Sequence, residues 1–338
     1  MTLVTNFLWY LFSSLVVIVP ILISVAYLTL LERKLLGYAQ LRKGPNVVGL
    51  YGVLQPLADG VKLFSKEVVI PSHANVALFI FAPILALIMG LIPWFIFPWG
   101  GYRFGGLVTH PYSLLLVLAI LAIGIFGVLL SGWSSSSKYA FLGAIRAVAQ
   151  MISYEVSLTL ILMSVIVLSG SLNLSYIHCV QNFLGWLLIP IWPVGLIYFV
   201  SMLAETNRAP FDLCEGESEL VSGYNVEYSS MPFAMFFLAE YSHIIFASFI
   251  FAILFMGGSI QTYDFRFFSY LLFISSTCLK GVCLCILFVL MRASYPRLRY
   301  DQVMMLMWKQ YLPLSISLVM LISSLVMILN SANPSCIF

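Results

Sequence analysis

Long apolar runs separated by short polar segments set the architecture of this chain. A run of ~18 or more apolar residues is long enough to cross the hydrocarbon layer as a helix. Eight runs qualify, at about 7–31, 74–99, 112–133, 139–169, 182–204, 231–258, 267–291 and 311–332. They are too long for barrel strands, and only helices or closed barrels satisfy their backbone in lipid. The pattern predicts an all-α integral membrane protein, with eight transmembrane helices forming one polytopic domain over residues 1–338. No internal repeat is visible, and Pro20 interrupts the first span without a counterpart elsewhere.

The connecting segments alternate in charge. Those after the first, third, fifth and seventh spans hold Arg33, Lys34, Arg42, Lys43, Lys62, Lys66, Lys138, Arg146, Arg208, Arg292, Arg297, Arg299 and Lys309. The opposite side holds only Arg103 and Arg266, while Lys280 lies within a span. Basic residues favour the inside face, so both termini are expected outside. In the long first inside loop, about 32–73, Leu54, Leu57, Ala58, Val61, Phe64 and Val68 share one helical face. Gln55, Asp59, Lys62 and Lys66 share the other. That spacing predicts an amphipathic helix, either lying in the interface or sealing the bundle against soluble partners.

Composition agrees: 62% of residues are hydrophobic and 9% charged, which excludes an ordinary soluble core. The first run is too long for a cleavable signal, and the absence of a transit peptide fits a protein inserted in the compartment where it is made. Cys179, Cys214, Cys278, Cys283, Cys285 and Cys336 form no CxxC pair. No metal site, iron–sulfur cluster or disulfide framework is expected on this chain alone. Neither a phosphate loop nor a dinucleotide fingerprint occurs, so NADH binding and a nucleic-acid partner are not expected.

Against this oily background the acids stand out. The chain has 13 Asp and Glu residues, and Glu205, Asp212, Glu215, Glu217 and Glu219 crowd into one short segment, with Glu227 close behind. Glu155 follows Arg146 by nine positions, a rise of roughly 13 Å, which puts it at membrane depth. Glu240 sits at a similar depth in the sixth span, and Lys280 near the middle of the seventh. Ionisable groups retained in a bilayer are functional candidates; the alternative is a buried Glu–Lys pair that locks packing. His73, His110, His178 and His243 are not at metal-ligand spacing. His243 stands three residues after Glu240, where it either shares a proton with it or is a hydrogen-bonded core histidine.

Several stretches resemble one family. They are Glu32 to Asn46, Gln55 to Asp59 with Lys62 to Glu67, Gly143 to Glu155, Glu205 to Tyr228, Ala239-Glu240-Tyr241, and Tyr295 to Asp301. In order and nearly throughout the chain, they are similar to membrane subunit 1 of respiratory complex I, the proton-pumping NADH:ubiquinone oxidoreductase. The segment Phe211-Asp212-Leu213-Cys214-Glu215-Gly216-Glu217 looks like the animal mitochondrial form.

The resemblance implies a subunit of a multi-subunit enzyme in the mitochondrial inner membrane, with both termini in the intermembrane space. Its partners would be the hydrophilic quinone module and the neighbouring membrane-arm subunits. Ubiquinone would be the substrate of the complex, with no cofactor bound by this chain itself. Arg33, Arg42, Asp59 and Phe211 match positions bordering the channel through which ubiquinone enters from lipid. Arg33 and Arg42 would stabilise negative charge during quinone reduction or serve only to dock a partner. Glu155, Glu205, Asp212, Glu215, Glu217, Glu219 and Glu227 match an acidic path from the quinone cavity toward the membrane axis, which continues to Glu240. Lys280 falls outside these motifs. The competing classes are a free-standing secondary transporter with carboxylate-coupled proton exchange, a purely structural anchor, and a membrane subunit of a related hydrogenase.

Overall fold

The computed structural model describes residues 2–99, 110–213, 223–258 and 266–332. Glu215, Glu217, Glu219, Cys214 and Cys336 lie outside the described residues. Among those described, every regular element is helical. The α-helices are α1 (Thr2–Ala39), α2 (Gln55–Ser65), α3 (Val76–Leu91), α4 (Pro93–Ile96), α5 (Ser113–Ser134) and α6 (Lys138–Ser169). They continue with α7 (Leu174–Leu184), α8 (Trp192–Glu205), α9 (Ser230–Phe255), α10 (Arg266–Ser294), α11 (Tyr300–Leu306) and α12 (Leu312–Ala332). Seven helical segments among the described residues are long and apolar enough to cross a membrane.

The differences from the hydropathy pattern have local causes. α1 runs through Pro20 without interruption and continues to Ala39, eight residues into the segment expected to be loop. The added stretch, Glu-Arg-Lys-Leu-Leu, consists of good helix formers. Pro20 is tolerated as prolines are in other apolar helices, where neighbouring groups take up the freed carbonyl. The run 182–204 is split: α7 ends at Gly185, whose φ of 83° suits only glycine comfortably, and α8 begins at Trp192 with Pro193 in its first turn. The fifth apolar helix is thus only 14 residues long. Ahead of α12 the backbone widens into a π-turn at Met307–Tyr311. Pro313 just beyond supplies no N–H and crowds the carbonyl four residues back, a conflict that one wide turn relieves.

Small residues let the helices approach closely. A Cβ added at Gly127 would lie 3.2 Å from the Ala86 Cβ, and one at Gly90 would lie 3.3 Å from the Ala239 Cα. α3 therefore nests between α5 and α9, the packing that helices use where burial of apolar surface gives little driving force. Aromatic rings fill one end of the bundle. Trp94 meets Phe246 and Phe249 edge-on at 5.3 and 5.6 Å, and Phe97 and Trp99 extend the cluster. Lys280, at the middle of α10, donates to the carbonyls of Met256 and Gly258, both at 2.8 Å, and lies 5.0 Å over the Trp186 ring. Gln181 donates to the carbonyls of Ile253 and Leu254. These two side chains satisfy the carbonyls left open at the end of α9, which gives Lys280 a capping role.

Candidate functional site

Three helices and one short turn bring carboxylates to a single cavity. Glu155 comes from α6, Glu205 from the last residue of α8, and Glu240 from α9; Tyr224, from the 3-10 turn Gly223–Asn225, joins them. The cavity offers about 100 Å³ to the centres of water-sized molecules, several times the ~10–15 Å³ that one water needs. Tyr198, Thr206, Asn207 and His243 also line it, and the remaining walls are apolar, chiefly Leu114, Val117, Leu121, Leu158 and Phe246. The Tyr224 hydroxyl donates to Glu240 Oε1 at 2.5 Å. Glu155 is within electrostatic reach of Glu205. Glu240 likewise feels Arg208, Asp212 and Glu32.

The chain fixes this arrangement from outside the cavity. Gln150, one turn before Glu155 and fully buried, donates to the carbonyls of Ala204 and Phe211, both at 2.8 Å. It thereby ties α6 to the end of α8 that carries Glu205. Gly143 allows the Gly223–Asn225 turn to press directly on α6, since an added Cβ would come within 2.7 Å of the Gly223 Cα. Ser230 donates to the carbonyls of Leu63 and Lys66 at 3.0 and 2.6 Å, and the Val69 N–H donates to Ser229. The start of α9 is thus fastened to the end of α2. Stacking of Phe79 on Tyr228, with centroids 4.0 Å apart, closes the same corner. Burial of the Tyr228 phenol pushes its pKa up to about 12, so it stays a neutral donor or acceptor toward Ser134.

A second ionic cluster lies beside the cavity. Glu32 is 5% exposed. It is paired with Arg292, lies 3.7 Å from Arg208, and accepts the Tyr241 hydroxyl at 2.5 Å. The Arg208 guanidinium covers the Tyr241 ring at 4.5 Å. Because Tyr241 follows Glu240 directly, one backbone step joins the two clusters.

The family model described as NADH dehydrogenase matches residues 12–323. NADH-ubiquinone oxidoreductase chain 1 of Metridium senile is 53% identical over 327 residues, covering 95% of this chain and 94% of that relative. The protein of the same description from Patiria pectinifera is 50% identical over 332 residues, covering 98% and 99%. That from Tamias sibiricus is 49% identical over 325 residues, covering 96% and 99%. The chain belongs to the NADH-ubiquinone oxidoreductase chain 1 family.

For this member of the chain 1 family, the residues expected from sequence separate into groups. Glu155, Glu205 and Glu240 share the cavity. Asp212 does not line it; buried to 5% exposure, it accepts from Arg297 at 3.2 Å. Glu227 is half-buried, also away from the cavity lining. Arg33 pairs with Asp59 at 2.7 Å, and Gln55 donates to the other oxygen of that carboxylate at 3.0 Å. Arg42 stands exposed beyond the end of α1. Phe211 is packed in the core, edge-on to Tyr154 at 5.5 Å.

Glu32, Arg208, Tyr241 and Arg292 were not among the residues expected to form a site. A signal for Glu32 did exist: Ile21, Val25, Leu28 and Glu32 follow a helical spacing, and all four are buried. Among the described residues no group of three His, Cys, Asp or Glu side chains is arranged to hold a metal ion.

Proposed function

We propose that this chain is the membrane subunit of NADH:ubiquinone oxidoreductase that links the quinone site to proton translocation. As a chain 1 family member it is one subunit of an oxidoreductase complex, and its apolar helices suit a multi-pass protein of the mitochondrial inner membrane. Nicotinamide, flavin and iron–sulfur chemistry would reside on partner chains of the complex. The observation that carries the proton-path reading is the cavity itself. Carboxylates from three separate helices, Glu155, Glu205 and Glu240, face one space large enough for water. Charged groups in such surroundings are costly, and each change in quinone charge nearby alters the proton affinity of its neighbours. Glu215, Glu217, Glu219 and Glu227 would extend the path toward the quinone module, with Asp212 regulating it through Arg297.

The quinone side is assigned to Arg33, Arg42, Asp59 and Phe211. α2 presents Leu57, Val61 and Phe64 outward, each more than half exposed, which suits an amphipathic helix resting in the lipid interface beside the channel for the isoprenoid tail. Arg33 and Asp59 would be the polar pair at its mouth. With the short α8 counted as the fifth of eight crossings, both termini would lie in the intermembrane space; its 14 residues span about 21 Å, so surrounding helices would have to shelter its ends. The bond from Ser230 to the end of α2 supports transmission of movement from the quinone side to the helix that carries Glu240.

The test is Glu155→Gln in the assembled complex. It removes a titratable proton while keeping shape, and protons pumped per NADH oxidised should fall sharply. Wild-type quinone reduction together with wild-type pumping would defeat the path.

A further inference from the structure

We propose that His243 is a proton-transfer residue of the same cavity, passing protons between Glu240 and water admitted to the apolar half. The inference rests on the proton-path reading above and extends it to a residue outside the acidic motifs. His243 and Glu240 are three residues apart on α9, so their side chains lie on one face, with Cβ atoms ~5–6 Å apart. Both line the cavity. The imidazole is half-buried, and no hydrogen bond or ion pair to another described residue occupies it.

Its position divides the cavity by chemistry. Glu155 of α6, Glu205 of α8, and Tyr224 and Glu240 lie on one side. Along α9 beyond His243 the lining is Phe246, Ala247 and Ile250. α3 and α5 add only Ala86 and aliphatic side chains or glycine; Tyr198 lies on the α8 wall, and Thr206 and Asn207, just beyond Glu205, line the carboxylate side. The other charged groups facing α9 are engaged elsewhere. Lys280 and Glu32 are held by the carbonyls of Met256 and Gly258 and by Arg292, Arg208 lies over Tyr241, and α2 reaches only the first turn through Ser230. His178, near Gly258, lies past the far end of the helix. His243 is therefore the imidazole placed where the carboxylate half meets the apolar half. A neutral imidazole accepts a proton at one ring nitrogen and releases one from the other, ending neutral with its tautomer exchanged; a ring rotation resets it. Carboxylates, which are acceptor-only when ionised, cannot relay in this way without first being protonated.

The experiment compares the complex carrying wild-type His243, His243→Asn or His243→Gln. Protons pumped per NADH oxidised are measured near neutral pH, together with the thermal inactivation midpoint. Both amide variants keep a side chain of similar polarity but cannot take up one proton while releasing another, so they should assemble with near wild-type thermal stability and pump markedly less. A merely packed histidine would change thermal stability and leave the pumping ratio alone. An amide variant that assembles and keeps the wild-type ratio overturns the proposal. Glu240→Gln, measured in parallel, separates the two readings. If it stops pumping while the His243 variants pump normally, the path stands and His243 has no part in it. If it pumps as wild type, the path itself falls, and His243 with it.

Discussion

Glu32 and Arg33 are neighbours on α1, yet their loss should have very different consequences. Glu32 is buried between two guanidinium groups and a phenol, with side-chain exposures of 7% for Glu32, 10% for Arg208 and 36% for Arg292. Glu32→Gln removes the carboxylate charge that lies 3.7 Å from Arg208 and is paired with Arg292, in a place where water can scarcely reach it. Breaking a buried pair costs ~3–5 kcal/mol. Arg292 is open enough to be resolvated, so the lower end, about 3 kcal/mol, applies here. That corresponds to a factor of roughly 150 in the equilibrium between correctly packed and disrupted subunit, at ~1.4 kcal/mol per decade. Arg33→Ala removes a pair whose members are 55% and 36% exposed; such surface pairs contribute ~0–1 kcal/mol, a factor of at most about five. The assay is the amount of assembled complex on a native gel, together with its thermal inactivation midpoint. Glu32→Gln should lower both markedly, and Arg33→Ala should leave both nearly unchanged. Equal effects from the two variants, or wild-type assembly of Glu32→Gln, would refute the assignment of a buried, stabilising cluster.

Two further outcomes follow from the geometry. Gly143→Ala puts a Cβ 2.7 Å from the Gly223 Cα, a backbone clash that costs ~1–3 kcal/mol; it should displace Tyr224 from Glu240 and reduce pumping in membrane vesicles more than the small added volume implies. His178, on α7 outside the membrane-crossing helices, is held neutral by burial and by Lys280, its pKa lowered from 6.5 to about 4. The unfolded chain therefore binds a proton that the folded one refuses. The stability present above about pH 6.5 should fade as pH drops toward about 4, read as faster hydrogen exchange around Ile253 to Gly258, and His178→Asn should flatten that dependence.

Much of the site was legible because a lone acid inside an apolar run is conspicuous. Glu155 and Glu240 stand out by spacing alone, and the structure brings them to one cavity with Glu205. Phe211 and Asp212 show the limit. They share one motif, yet one packs against Tyr154 while the other binds Arg297, 85 residues away. Glu32 was hidden for a related reason. Beside Arg33 and Lys34 it reads as part of a charged loop. Its burial depends on Tyr241 and Arg292, which are 209 and 260 residues distant. Local periodicity reports which face of a helix is apolar, but not which distant partner neutralises a charge placed on that face. The same holds for Lys280: its place inside an apolar run was visible, whereas its attachment to the end of α9 follows only from how α10 packs on α9.

The central claim is that Glu155 and Glu240 act through one cavity. The most direct measurement is a double-mutant cycle on protons pumped per NADH oxidised, with Glu155→Gln, Glu240→Gln and the pair in the reconstituted complex. Residues working as one unit are strongly non-additive. The account predicts that each single variant loses most pumping and that the double variant is scarcely worse than either. Independent, multiplying losses, or single variants that pump like the wild type, would contradict it.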